Sequence, residues 1–525
     1  MRERLSERDA ADFDAILALV PEDAGDMPFA GLPQSERWRR LRERVQRAGA
    51  VRSATLANAR DTRIVLGLTP PGASAFDALA VAGRALREIA GEAEVIALAA
   101  PAAEHAGNTA VRRGAVDAGA AGAASAVLGA LLSAALAHAF ELPSFRTPPR
   151  SESQPRLKLR RIELIGGAGL DLPYLDAAAQ GNNLARFLTA LPPNVLDAAA
   201  YRRFLAGYAR EHGLGFTWLG EPALERLGAN AFLAVARGNP DRNAGIAHLT
   251  YRPAGRRGAP PRNRAGSRIA AGRRGAPEVA LIGKGILFDT GGTNLKPHRS
   301  MLGMHTDMAG SAVALATLGA LARLKAPVAA DAWLAITANR IGSRAYLPQE
   351  VVRAANGVTI QVIHTDAEGR MALADTLALA ARTRPRLLID FATLTGTCIY
   401  ALTERMSGLV TNEPRLLPTL LAAGRASGER VWSFPFDADY DADLESKVAD
   451  VLQCAVEAKG DHILAARFLC RFVPAGMPWV HLDLSAAVRS GGLAHVPTDV
   501  TGFGVRYALE LLLKTRVLEE LQADA

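Results

Sequence analysis

Cysteine is scarce in this chain of 525 residues: Cys398, Cys454 and Cys470 are the only three. Odd in number and far apart, they exclude a disulfide framework or a zinc ribbon and suit a reducing compartment. Lysine is also rare, with seven against 54 arginines. An apolar leader is missing, since the opening "MRERLSERDAADFD" is charged; this argues against export and for a cytoplasmic location. Long, strongly hydrophobic runs are missing too. The most apolar stretch, residues 123–140, is alanine-rich and carries Ser125, Ser133 and His138. It reads as a buried helix rather than the roughly 20 strongly apolar residues of a membrane span. What is present is 49% hydrophobic residues spread along the length, too apolar for disorder and too long for one small domain.

The net charge of +8 is unevenly placed. Residues 252–274, "RPAGRRGAPPRNRAGSRIAAGRR", hold eight arginines and no acid among Gly, Pro and Ala. Such a composition cannot bury a core and reads as a surface loop. Clustered arginine is also what neutralising phosphates requires, so contact with nucleic acid or another polyanion stays open.

Short apolar runs alternate with helical patterns. "AILALV", "SATLA", "RIVLGL" and "EVIALAA" read as strands, and "FDALAVAGRALREIAG" and residues 123–140 as helices. Later come strands "GFTWL", "EVALIG", "DAWLAITAN", "GVTIQVIH" and "RLLIDFATL", with helices over 198–212, 309–324 and 370–382. The expectation is an α/β protein of two domains. A smaller α/β domain covers 1–172, and a larger one with a central mixed sheet covers 173–525. The larger opens on a linking helix at 173–193 and is interrupted by the arginine-rich loop at 252–275. In such sheets functional loops gather at one end of the strands.

Two strand ends hold the chemistry: "GKGILFDTGGTNLKPHRSMLGMHTDMAGSA" and "HTDAEGRMALADTL". A phosphate loop fails at the first, because Gly275 lies eight residues before Gly283 instead of five and Gly285 replaces the Ser or Thr that would hold magnesium. Asp289, Asp307, Asp366 and Glu368 make better sense as a group. Carboxylates gathered without counter-charge would take up protons, whereas two divalent ions would balance them and activate water. If the strand "GVTIQVIH" continues, Asp366, Glu368 and Arg370 share one side.

These motifs resemble the M17 family of metallopeptidases, the leucyl aminopeptidases. Lys284, Asp289, Lys296, Asp307, Asp366 and Glu368 reproduce its spacing, and "LPPNVLDAAAYRRF", "DFATLTGT", "WVHLDLS" and "GFGVR" extend the match. The resemblance implies a dinuclear site: Asp289, Asp366 and Glu368 hold one metal, and Lys284, Asp289, Asp307 and Glu368 the other. The ions are zinc or manganese, with magnesium or cobalt possible. By the same resemblance Lys296 would stabilise the oxyanion, and Arg370 would carry a bicarbonate base, cradled by backbone at Ala367, Gly369 and Leu394. Met304, Thr393 and Gly396, with Lys296 and Asp307, contact a peptide whose first residue is leucine-like. A homohexamer is also implied, as is the DNA-binding role of some members. Departures from the family pattern are His364 in place of Asn, Met371 in place of Leu and His305 in place of Lys. None removes a ligand.

Overall fold

The computed structural model describes residues 4–23, 29, 31–45, 47–91, 93–100, 113–147, 158–166, 169–254, 275–457 and 459–522. It divides into two compact units. One comprises residues 1–179 with 425–428 and 490–499; the other comprises 180–424 with 429–489 and 500–525.

The first unit is built on a five-stranded sheet. Its strands are β1 (Ala15–Pro21), β2 (Val51–Thr55), β3 (Arg63–Thr69), β4 (Val95–Ala99) and β5 (Arg161–Ile165), in the order β2-β3-β1-β4-β5. All pairs are parallel except β2 with β3. Successive strand residues point to opposite faces, so Leu17 and Leu19 pack into one core and Ile16, Ala18 and Val20 into another. The alanine-rich stretch lies in the helix Arg113–Ala139, with Leu128, Leu131, Ala134 and Ala135 fully buried. Among the described residues no helix is long and apolar enough to cross a membrane.

The second unit carries an eight-stranded mixed sheet. Here β6 (Gly215–Gly220), β7 (Gly245–Tyr251), β8 (Val279–Asp289), β9 (Ala330–Asn339), β12 (Leu387–Ala392), β13 (Ser407–Thr411), β14 (Val431–Ser433) and β16 (Trp479–Asp483) run in the order β14-β13-β16-β12-β8-β9-β7-β6. Three short strands, β10 (Val351–Arg353), β11 (Thr359–Gln361) and β15 (Val451–Leu452), form a separate sheet. At the centre β16, β12, β8 and β9 are parallel. They are buried on both faces and therefore read as continuous apolar runs. Two helices of this unit, α1 (Ala309–Arg323) and α2 (Glu368–Ala381), are almost wholly buried, as helices apolar all round must be.

One local expectation is corrected. The extended run "GVTIQVIH" ends at Gln361, and Thr365 and Asp366 lie in a turn leading directly into α2 at Glu368. Two-residue alternation therefore does not bring Asp366, Glu368 and Arg370 together; the turn and the first helical turn do. The arginine-rich stretch falls almost entirely at 255–274, outside the described residues.

Candidate active site

The predicted ligands converge where the parallel strands end. Lys284 stands in the middle of β8, between two glycines that keep α1 close: a Cβ on Gly283 would lie 2.5 Å from the Ser311 Cα. The pairing of β8 with β9 slips between Ile286 and Asp289, an irregularity that re-aims the last carboxylate. Asp307 follows the short turn Met304–Thr306 and precedes α1. Asp366 comes from the turn before α2, and Glu368 opens that helix.

The Lys284 ammonium lies 2.7 Å from Asp307 Oδ1 and 3.1 Å from Glu368 Oε1, and donates to the Thr393 carbonyl at 2.8 Å. The Thr393 hydroxyl donates to Asp307 Oδ1 at 2.8 Å. Lys296 Nζ lies 2.9 Å from Asp289 Oδ2 and 2.5 Å from Asp366 Oδ1. Burial works against both ammonium charges, yet the surrounding carboxylates overcome it and hold both lysines above their ordinary range. The carboxylates shift upward. Burial, helped by Asp289, pushes Asp307 up to about 6 against the pull of Lys284. Burial and the Asp289 charge likewise raise Asp366, and raise Glu368 well above its usual value.

Such a site suits divalent metal. Asp289, Asp366 and Glu368 each offer an oxygen, all within 4.8 Å of one another. Asp307 Oδ2 and Glu368 Oε2 are buried without a hydrogen-bond partner, and an orphaned buried carboxylate oxygen is costly unless a cation is due there. Oxygen donors with one amine leave the choice of ion open.

Bicarbonate fits less well. Arg370 is buried, and its Nη2 donates to Asp461 Oδ2 at 2.6 Å while its Nη1 donates to the Gln453 carbonyl at 3.3 Å. Burial opposes the guanidinium charge, and Asp461 more than offsets it, so the group is held above its ordinary value. Of the expected backbone cradle, the Ala367 N–H donates to the His364 carbonyl at 3.0 Å and the Leu394 N–H to Asp483 Oδ1 at 3.2 Å. Gly369 has a steric role that sequence did not suggest: a Cβ there would lie 2.5 Å from Lys284 Cε.

Further supporting residues escaped the sequence reading. Asn339, at the end of β9, donates to Asp289 Oδ1 at 2.8 Å and to the Thr365 carbonyl at 3.0 Å. Tyr346 donates to that same carbonyl at 2.8 Å, and Asn294 Oδ1 accepts the Thr365 N–H at 2.9 Å. Gln453 accepts the N–H groups of Ile363 and His364 and donates to the Ala367 carbonyl at 3.0 Å. Asn339 closes β9 and Gln453 directly follows β15, whereas Asn294 and Tyr346 lie in loops beyond the strand ends. His364 accepts the Asp366 N–H on Nδ1 at 3.3 Å, a turn contact open to the family's asparagine as well. Met304 is half-buried and Gly396 is exposed at the start of the helix Gly396–Leu402.

Residues 183–509 match the cytosol aminopeptidase family, catalytic domain. A "Probable cytosol aminopeptidase" from Parasynechococcus marenigrum is 39% identical over 363 residues, 68% of this chain and 70% of that protein. Another of the same name from Persephonella marina is 35% identical over 338 residues, 64% of each. Among solved structures, the bottromycin maturation enzyme BotP in complex with Mn is similar with a TM-score of 0.77 and 30% identity, covering 95% of this chain and 98% of BotP. With a ligand set suited to divalent metal and a family match across most of the second unit, the chain belongs to the cytosol aminopeptidase family of metallo-exopeptidases.

Proposed function

We propose that this chain releases N-terminal residues, preferentially leucine-like ones, from peptides by dinuclear metal catalysis within residues 173–525. The observation that carries the reading is the convergence of Asp289, Asp366 and Glu368 within 4.8 Å, with Lys284 and Asp307 beside them. Asp289, Asp366 and Glu368 would hold one ion and Lys284, Asp289, Asp307 and Glu368 the other, with zinc or manganese favoured over magnesium or cobalt. The ions, when bound, polarise the scissile carbonyl and activate water. Lys284 must lose the proton on Nζ to serve as a ligand. Lys296, now paired with Asp289 and Asp366, would be freed when those carboxylates serve as ligands, and its ammonium would then stabilise the oxyanion on the peptide carbonyl. The leucine-like preference rests on the family match of Met304, Thr393 and Gly396. Bicarbonate as base on Arg370 requires Asp461 to be displaced.

The test is hydrolysis of leucine-p-nitroanilide by the purified protein, before and after chelation and with each metal restored. Activity that survives exhaustive chelation defeats this reading. A homohexamer in a reducing cytoplasm is proposed with it. A second role rests on charge: the eight arginines of residues 252–274 are proposed to bind nucleic acid without sequence preference.

A further inference from the structure

Arg370 is a cation that needs an anion. Its guanidinium is 2% exposed, and a charge so deeply buried is retained only when paired. The family resemblance supplies an external bicarbonate, but the structure supplies something else. We propose that Asp461 is this chain's own anion for the Arg370 site, so that its carboxylate stands where bicarbonate would otherwise bind and bicarbonate enters only when Asp461 is removed.

Four observations converge. The Arg370 Nη2 to Asp461 Oδ2 bond is 2.6 Å long, the range of a strong charge-assisted contact. Asp461 is largely shielded, its side chain 21% exposed, so the pair is not one of the solvated surface bridges that contribute little. The carboxylate is also presented by a fixed element. Asp461 is the first residue of the helix α3 (Asp461–Cys470), entered through Gly460 at φ 63°. The next residue, His462, is tied to Thr397 by its N–H at 3.0 Å and its ring Nδ1 at 3.1 Å, and packs on Phe434 at 4.1 Å. Finally, two of the three backbone groups that would cradle bicarbonate are engaged within the chain: Ala367 N with His364 O, and Leu394 N with Asp483 Oδ1. A carboxylate tethered in this way acts at an effective concentration of about millimolar or above and competes with a free anion without losing translational freedom. Asp461 acts through Arg370 and is a positioning residue.

The kinetic arm of the test rests on the aminopeptidase reading, while the binding arm does not. In carbonate-depleted buffer, metal-loaded parent, Asp461→Ala and Asp461→Asn proteins are titrated with bicarbonate against chloride at equal ionic strength. Melting temperature, calorimetric binding and leucine-p-nitroanilide turnover are followed. The parent should show no bicarbonate-specific change in any of them. Asp461→Ala should melt lower and turn over about tenfold more slowly or worse, as expected when a buried charge loses its partner. Bicarbonate, but not chloride, should restore both properties and bind measurably. Asp461→Asn keeps the shape and guards against misfolding of the alanine variant; it too should gain bicarbonate binding. A parent that binds bicarbonate as tightly as the variants overturns the proposal, as does a folded variant that ignores bicarbonate. If the parent hydrolyses no peptide at all, the aminopeptidase reading fails, and the melting and calorimetric results still decide the role of Asp461.

Discussion

At the residue scale the site is a set of charges waiting to be redistributed. Without metal, Lys284 and Lys296 neutralise the carboxylates, at 2.7 Å to Asp307 and 2.9 Å to Asp289. Metal uptake must strip the proton from Lys284 and any proton held by Asp307 or Glu368, so loading should release protons, detectable with a pH indicator in weak buffer. The sign of the pH dependence follows. Because Lys284 must give up its proton at any pH near neutral, affinity should fall as pH drops, and more steeply below about 6, where burial leaves Asp307 protonated as well. Glu368→Ala should lose metal and activity together, with a fall of roughly a thousandfold or more. A variant with near-normal turnover would remove the dinuclear reading. Lys296→Ala should instead keep its metals and lose kcat with little change in KM; metal analysis showing a missing ion would make Lys296 structural. Gly369→Ala probes a contact that the sequence hid. Its Cβ would lie 2.5 Å from Lys284 Cε, so this small change should weaken metal binding, as competition titration would reveal. The proposed ligands could be nominated from sequence because their spacing matches the family pattern, and the structure brings Asp289, Asp366 and Glu368 together. Asn339 and Asp461 could not be nominated, because only the fold brings them to Asp289 and Arg370.

At the element scale, periodicity found most strands and helices but not the junction that matters. The run "GVTIQVIH" has a strand-like pattern, yet the strand covers only Thr359–Gln361. The chain then turns, held by Gln453 at Ile363 and His364 and by Tyr346 and Asn339 at the Thr365 carbonyl. Such side-chain to backbone bonds come from residues far away in sequence, so no local pattern announces them. α2 is anchored in a comparable way. Its Asp375 accepts the N–H groups of Phe232 at 2.8 Å and Ala355 at 2.7 Å, and burial still pushes the carboxyl up to about 7. Asp375→Ala leaves both donors without an acceptor and should cost about 3 kcal/mol in denaturant unfolding. Because the folded value lies above the ordinary carboxyl value of about 4, the contribution of this group to stability is fully present below pH ~4 and is lost as pH rises through 7. Asp375→Asn should flatten that decline; an unchanged pH profile of melting would show that the carboxyl does not titrate as its burial implies.

At the scale of the whole molecule, the two α/β units and the mixed sheet followed from alternating elements, whereas strand order did not, because periodicity fixes which residues face a core and not which strands pair. Charge is also a whole-molecule property, and here it has a definite address. Removing the eight arginines of residues 252–274 leaves 53 basic residues against 53 acidic ones, so the entire net charge of +8 belongs to one segment. A chain otherwise balanced should bind polyanions through that segment or not at all. Association with phosphates releases counterions, and its strength must therefore fall steeply with salt. The intact protein should retard duplex DNA at low ionic strength without sequence preference and release it near 200 mM salt, a range across which multi-phosphate contacts lose roughly a thousandfold in affinity. Deleting residues 256–274 should abolish retardation while most of the leucine-p-nitroanilide rate survives, since none of the proposed ligands lies there. Retardation that persists in the deletion would place binding elsewhere, and loss of catalysis in a folded deletion would make the segment part of the active site or of an assembly contact.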